Sequence, residues 1–189
     1  MLGLRNEVRS ARLLATNKRL KSTSGSDGLT IDVPAEPLDP IATVLVLEVK
    51  GKLDIEKVLP GQAADGSVTL SAELADLHGG VQVETIDGQP NVGWWTNPRD
   101  FVSWSFQVTR PGRFDVTVAY ASPADSKFEI AAGDRKMPAA TGSTGGYQKF
   151  ETVKLGTIEL KPGAVELTLK PQEGWQAINL RSVVLKPAD

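Results

Sequence analysis

The sequence has no cysteine and a single histidine, His78, in 189 residues. Without thiols there is no disulfide, no thiolate nucleophile and no Cys-ligated zinc. One imidazole is too few for a His-based metal centre or a Ser-His-Asp arrangement. No apolar run reaches the roughly 20 residues that a membrane-spanning helix needs. The first residues, Met1-Leu2-Gly3-Leu4-Arg5, lack the apolar stretch and small-residue cleavage site of a signal peptide. Neither sign of charge dominates: Lys and Arg number 21 against 23 Asp and Glu, so the basic face of a nucleic-acid binder is missing. The glycines between 142 and 146 lack the Lys and following helix of a phosphate-cradling loop. What these absences leave is a module that binds or braces.

What is present is a period of two. Val102, Trp104, Phe106 and Val108 alternate with Ser103, Ser105 and Gln107, the pattern of a strand with one face in a core. Phe114, Val116, Val118 and Tyr120 repeat it. Between the two runs lies Arg110-Pro111-Gly112, and Lys161-Pro162-Gly163 separates 157–160 from 165–169 in the same way. Pro presets the first central turn residue and Gly supplies a positive φ at the second, so both read as type II turns closing antiparallel hairpins. Further strands are expected over 12–15, 29–33, 44–49, 68–73, 81–84, 127–131, 150–154 and 178–185. Residues 5–12 fit a helical turn or an exposed strand equally, and His78, before Gly79-Gly80, reads as a turn residue. With no long amphipathic helix to cover a sheet, the expected fold is all-β, an antiparallel sandwich of jelly-roll type preceded by a few strands of a second β-domain.

The small residues and turn formers of 57–66 mark a linker between residues 1–56 and 67–189. The first piece has about three strands, too few for a core of its own. It is either the tail of a larger domain or docks on the second piece.

Three blocks carry a resemblance for the first piece: Val8-Arg9-Ser10-Ala11-Arg12-Leu13-Leu14, then Asp27-Gly28-Leu29-Thr30-Ile31-Asp32-Val33-Pro34-Ala35, then Asp39-Pro40-Ile41-Ala42-Thr43-Val44-Leu45-Val46-Leu47-Glu48. Read physically, Asp27-Gly28 is a turn and 41–47 a continuous buried strand. In this order the blocks resemble the end of the C-terminal β-sandwich of family 29 α-L-fucosidases. In that family catalysis belongs to a preceding barrel of about 250 residues, for which this chain has no room, so no residue is assigned a catalytic role. The second piece resembles family 6 and family 35 carbohydrate-binding modules. The matching residues are Ser71-Ala72-Glu73, 79–84, Asn91-Val92-Gly93-Trp94-Trp95, 100–104, 112–116, Thr144-Gly145-Gly146-Tyr147-Gln148 and Ile178-Asn179-Leu180.

A pyranose packs its C–H face on an aromatic plane and needs directional partners for its hydroxyls. The resemblance implies a sugar between Trp94 and Tyr147 with Asn179 bonding its hydroxyls, while Trp95 and Trp175 lie beside these stretches and widen the platform. Each has a packing alternative. Adjacent residues on an extended chain point opposite ways, so one of Trp94 and Trp95 faces the core. Trp175 reads equally as a lid over the core and Asn179 as a backbone partner beside a strand. Tyr147 follows a Gly, Ser and Thr run expected to be mobile. Two covered aromatic planes contribute about 4 kcal/mol, a millimolar site.

Many relatives hold a structural calcium, but here Ser71 and Arg181 stand where the resemblance implies acidic ligands. No metal or other cofactor is therefore expected, and Arg181 is expected to pair with Glu73 or a nearby carboxylate in place of the ion. The carboxylates Glu48 with Asp54, and Asp125 with Glu129, lack a nucleophile or cleft and read as solvated. The functional expectation is a non-catalytic C-terminal region of an α-L-fucosidase-like glycoside hydrolase, periplasmic or extracellular. Its partners would be a glycan or polysaccharide and the parent's catalytic domain. The alternative is a brace with no sugar binding, its aromatics buried in a flat patch against that domain.

Overall fold

The alternation of apolar side chains sets strands throughout the chain. The computed structural model describes residues 3–25, 28–37, 39, 42–55 and 59–188. Met1 and Leu2, Asp27 of the expected turn, Pro40 and Ile41, and Lys57 and Val58 of the expected linker lie outside them. Among the described residues no helix is long and apolar enough to cross a membrane. The chain divides into two units, Met1–Val58 and Leu59–Asp189.

The first unit contains β1 (Val8–Leu13), β2 (Arg19–Leu20), β3 (Ser22–Gly25), β4 (Gly28–Ile31) and β5 (Leu45–Val49). Residues 5–12 thus resolve mostly into strand rather than a helical turn. An antiparallel sheet runs β2-β1-β5, and β3 with β4 makes a separate ribbon. Asn6 ties the sheet's end together, donating to the carbonyls of Lys50 and Lys52 and accepting from the Asp54 amide. Leu4, Ala11, Leu13 and Leu29 are buried. The expected buried strand over 41–47 is not found: β5 begins at Leu45, and Val44 and Leu45 are 51% and 38% exposed. Among the described residues β5 is an edge strand, hydrogen-bonded to β1.

The second unit is a sandwich of two antiparallel sheets. Its strands are β6 (Val68–Ser71), β7 (Asp76–His78), β8 (Gln82–Ile86), β9 (Gln89–Gly93), β10 (Phe101–Val108), β11 (Gly112–Ala121), β12 (Ser126–Ala132), β13 (Arg135–Thr141), β14 (Glu151–Leu160), β15 (Gly163–Pro171) and β16 (Asn179–Pro187). One sheet has the order β13-β12-β15-β10-β7 and the other β14-β11-β16-β9-β8, with β6 also paired to β16. Trp104, Phe106, Phe114 and Phe128 are among the fully buried side chains of its core.

The two Pro-Gly links do not close hairpins. β10 pairs with β15 and β7, whereas β11 pairs with β14 and β16, so Arg110-Pro111-Gly112 carries the chain from one sheet to the other. Lys161-Pro162-Gly163 does the same between β14 and β15. Alternation cannot separate the two cases, because the same apolar faces lie side by side in a hairpin and opposite one another across a core. Gly112 and Gly163 have φ of +153° and +124°, outside the value near +80° of a type II turn. A tight hairpin forms at Asp87-Gly88 instead, with φ of +52° and +71°. This type I′ geometry matches the twist of the flanking strands and sets Glu84 opposite Asn91.

Residues 59–66 belong to the second unit rather than to a free linker. The Pro60 carbonyl accepts the Gln107 amide, and Gln62 Oε1 accepts from Thr109 and Arg110. His78 ends β7 rather than lying in a turn; its ring stacks on Phe101 at 4.0 Å, with Nε2 3.0 Å from Ser103 Oγ.

Candidate functional site

β9 ends at Gly93 and delivers the two adjacent tryptophans into separate environments. Trp94 takes a left-handed backbone, φ +57°, which bulky residues rarely adopt. Its carbonyl accepts the Thr96 amide at 3.0 Å, and its side chain is 64% exposed. Trp95 is 1% exposed. Its Nε1 donates to the Asp100 carbonyl at 2.9 Å, and its ring lies 4.8 Å from that of Trp175, which meets Phe128 edge-on. Trp95 therefore presents no face to a ligand, contrary to its place among the candidate residues. Trp175 packs as a lid on the core.

The turn that displays Trp94 is tied down by Asp100. The Asp100 carboxylate accepts the Gly80 amide at 2.8 Å and the Asn97 side-chain amide at 3.1 Å. Gly79 has φ +95°, and a Cβ there would overlap this carboxylate; only glycine suits both conditions. One buried carboxylate thus fixes the loop that holds Trp95 inward and Trp94 outward.

Tyr147 is 45% exposed on the stretch between β13 and β14. The expected mobility of this stretch is not what the hydrogen bonds describe. Thr144 is buried; its amide donates to the Ser122 carbonyl and its Oγ1 accepts the Ser122 amide. The Ser143 amide donates to Asp125, and Ser143 Oγ to the Pro123 carbonyl. The Tyr120 hydroxyl donates to the Gly142 carbonyl, and burial pushes its phenol pKa up. Small hydroxyl residues read from sequence as flexible filler are here the partners of the backbone.

Asn179, the first residue of β16, joins the two aromatic segments. Its Nδ2 donates to the Tyr147 carbonyl at 3.0 Å, and its Oδ1 lies 3.0 Å from where a Cβ on Gly93 would sit. The Glu84 carboxylate would overlap the same Cβ position and accepts Asn91 Nδ2 at 3.2 Å. Glu84 is the residue that sequence reasoning missed. Asn91 is fully buried, and its Oδ1 has no hydrogen-bond partner. Asn179 is buried, 5% exposed, and acts as the backbone partner that the sequence also allowed: it bonds the main chain of the Tyr147 segment and packs, with Glu84, at the glycine before Trp94. The exposed Trp94 and Tyr147 rings each offer a plane for an apolar ring face, and the Glu84 carboxylate an acceptor for hydroxyls.

Arg181 does not pair with Glu73. Its guanidinium lies 3.6 Å over the Phe150 ring, and Nη2 donates to the Ile86 carbonyl at 3.3 Å. Among the described residues no group of three or more His, Asp and Glu side chains is placed to hold a metal ion. Glu48 accepts Ser10 Oγ, Glu129 pairs with Lys136, and both glutamates have protein partners outside the site.

The second unit has the sandwich fold of family 6 and family 35 carbohydrate-binding modules. A family 6 module of a Cellvibrio mixtus lichenase, solved with cellotriose, is 24% identical with a TM-score of 0.53, over 64% of this chain and 97% of the module. A family 35 module from Clostridium thermocellum is 16% identical with a TM-score of 0.56, over 65% of this chain and 98% of the module. An isomalto-dextranase of Arthrobacter globiformis T6, solved with panose, matches 97% of this chain at 19% identity with a TM-score of 0.58. The chain spans 30% of the length of that enzyme and 28% of a fungal mannanase that it also matches. The sequence matches no protein-family model and no curated protein.

Proposed function

We propose that this chain is a non-catalytic accessory region of a longer glycoside hydrolase, and that its second unit binds carbohydrate weakly through Trp94, Tyr147 and Glu84. The observation that carries the reading is the exposed Trp94 ring, held outward by a left-handed backbone directly beside a buried neighbour. Unfavourable backbone geometry concentrates at functional sites, and a merely structural tryptophan gains nothing from exposure to water.

The structural relatives supply the rest of the reading. The enzymes named among them act on glucans, mannan and galactan, and polymers of that kind are met outside the cytoplasm, in the periplasm or beyond. A match to an isomalto-dextranase covers 97% of this chain and so both of its units, which supports reading the two as parts of one glycoside hydrolase. The resemblance of residues 8–48 to family 29 α-L-fucosidases names a fucosidase as the parent within that class. The catalytic domain of that parent is the expected protein partner.

Tryptophan fluorescence titration tests the reading. The probes are cellotriose, panose, β-1,3-galactotriose, mannooligosaccharides and fucosylated glycans, each run on the parent and on Trp94→Ala. A saturable shift that Trp94→Ala abolishes supports a binding module. No response to any glycan, with Trp94→Ala clearly less stable than the parent, places Trp94 in packing and favours the brace.

A further inference from the structure

We infer that Arg181 is a positioning residue for this site, fixing the separation between the wall that carries Trp94 and the wall that carries Tyr147. The inference rests on the carbohydrate-binding reading above. Leu180 is buried in the core and pairs with Val92, Asn179 before it is buried too, and β16 bulges at Arg181, since Leu180 and Ser182 pair with the successive residues Tyr120 and Ala119. Asn179 reaches the Tyr147 carbonyl on one side and Gly93 on the other. Arg181 repeats that span one step further along the strand. It donates to the Ile86 carbonyl at the end of β8 and stacks on Phe150, where the Tyr147 stretch enters β14. The β8–β9 hairpin holds Glu84 and leads into Trp94; the other segment holds Tyr147. β16 therefore crosses between the same two walls with two rungs, one of them a cation.

The second rung suits an arginine. A planar guanidinium stacks on an aromatic face and donates in its own plane at once, which a lysine ammonium cannot do. Arg181 Nε and Asn91 Oδ1 are both buried without a partner. Loss of the guanidinium would remove the contacts to Ile86 and Phe150 and so disturb the spacing of the two walls. Spacing matters because dispersion contacts forfeit a quarter to a half of their well for a gap of roughly 0.5–1 Å. A ring held between two aromatic planes is sensitive to shifts of that size.

The test uses the full chain with three substitutions: Arg181→Met, Arg181→Lys and Phe150→Leu. Binding is measured with whichever of the oligosaccharides above the parent binds, alongside thermal unfolding and amide hydrogen exchange over 84–88 and 145–150. Arg181→Met is expected to lower affinity about tenfold and Phe150→Leu about fivefold, with no rescue by Arg181→Lys. Exchange should quicken in both walls while the second unit keeps a cooperative unfolding transition. Parent-like affinity in Arg181→Met, or full rescue by Arg181→Lys, overturns the positioning role and leaves the carbohydrate-binding reading standing. A parent that binds none of the glycans overturns both. Unchanged exchange in both walls of Arg181→Met overturns the clasp whatever the sugar result.

Discussion

The two units are built from the same element and bury very different amounts of it. In the second, two sheets face each other, and Trp104, Phe106, Phe114, Phe128, Leu167 and Leu180 are buried between them. In the first, burial reaches Leu4, Ala11, Leu13 and Leu29, while Leu14, Val33, Val44, Leu53 and Ile55 stay exposed. Two clefts of about 270 and 190 Å³ open on that surface, lined by residues such as Val33, Pro34 and Leu45, and Leu13, Leu14 and Val44. The strand sequences of the two units are similarly apolar. The difference lies in whether a second layer stands opposite, because a sheet buries its apolar face only against another layer. Hydrophobic alternation is thus a statement about a strand's capacity for burial, and topology decides whether the capacity is used.

The largest expected effect comes from Trp104→Ala, which removes a fully buried ring and the hydrogen bond from its Nε1 to the Ser71 carbonyl. It should destabilise the second unit by about 3–5 kcal/mol in denaturant unfolding. Leu13→Ala should cost the first unit about 2–3 kcal/mol and leave the second unit's transition in place. A shift of both transitions together would show that the units unfold as one and break the comparison. Within the second unit, Trp94→Gly should be more stable than Trp94→Ala by about 0.5–1 kcal/mol, because glycine accepts φ +57° without the Cβ penalty. Equal midpoints for the two variants would mean that the turn does not hold that conformation in solution.

The smallest effect concerns acid. The Lys154 ammonium hydrogen-bonded to Asp115 holds its carboxyl below the usual carboxylate range, against an opposing desolvation, with Thr157 assisting. A carboxylate depressed in the folded state contributes stability above its unfolded value, near pH 4, and loses it as pH falls through the folded value. Asp115→Asn should therefore flatten the acid limb of the stability profile and change little at neutral pH. An unchanged acid limb would remove this pair from the account of acid stability.

The strands with clean alternation, such as β10, β11 and β15, were legible because their side chains obey one period. β13 was not: Arg135-Lys136-Met137-Pro138 offers no alternation, and its proline sits on an edge strand where a missing amide is tolerated. β9 was hidden by Gln89-Pro90-Asn91, although Asp87-Gly88 is a strong local hairpin signal. That dipeptide also made Glu84 legible in principle, since a two-residue turn counts back from Ile86–Gln89 to Glu84–Asn91. The opposite fates of Trp94 and Trp95 followed from neighbours pointing apart; which of them faces outward depended on the Asp100 knot, assembled from residues 79, 80, 97 and 100. Arg181 was expected to seek a carboxylate, but an aromatic face and a carbonyl lay within its reach.

The position of β16 in the sheet has a consequence for how the protein is made. This strand, residues 179–187, is hydrogen-bonded to β11, β9 and β6, so Val68 at the opening of the sandwich waits for Leu185 near its close. Synthesis runs from the amino terminus, and domains of this size fold largely as units. On the ribosome the six-stranded sheet therefore lacks its shared neighbour until the last strand has emerged. Until then β11, β9 and β6 each keep an edge that awaits β16, and pairings this distant in sequence form slowly. A nascent chain stalled before residue 179 should accordingly depend on holdase chaperones, whereas one released after residue 187 should not.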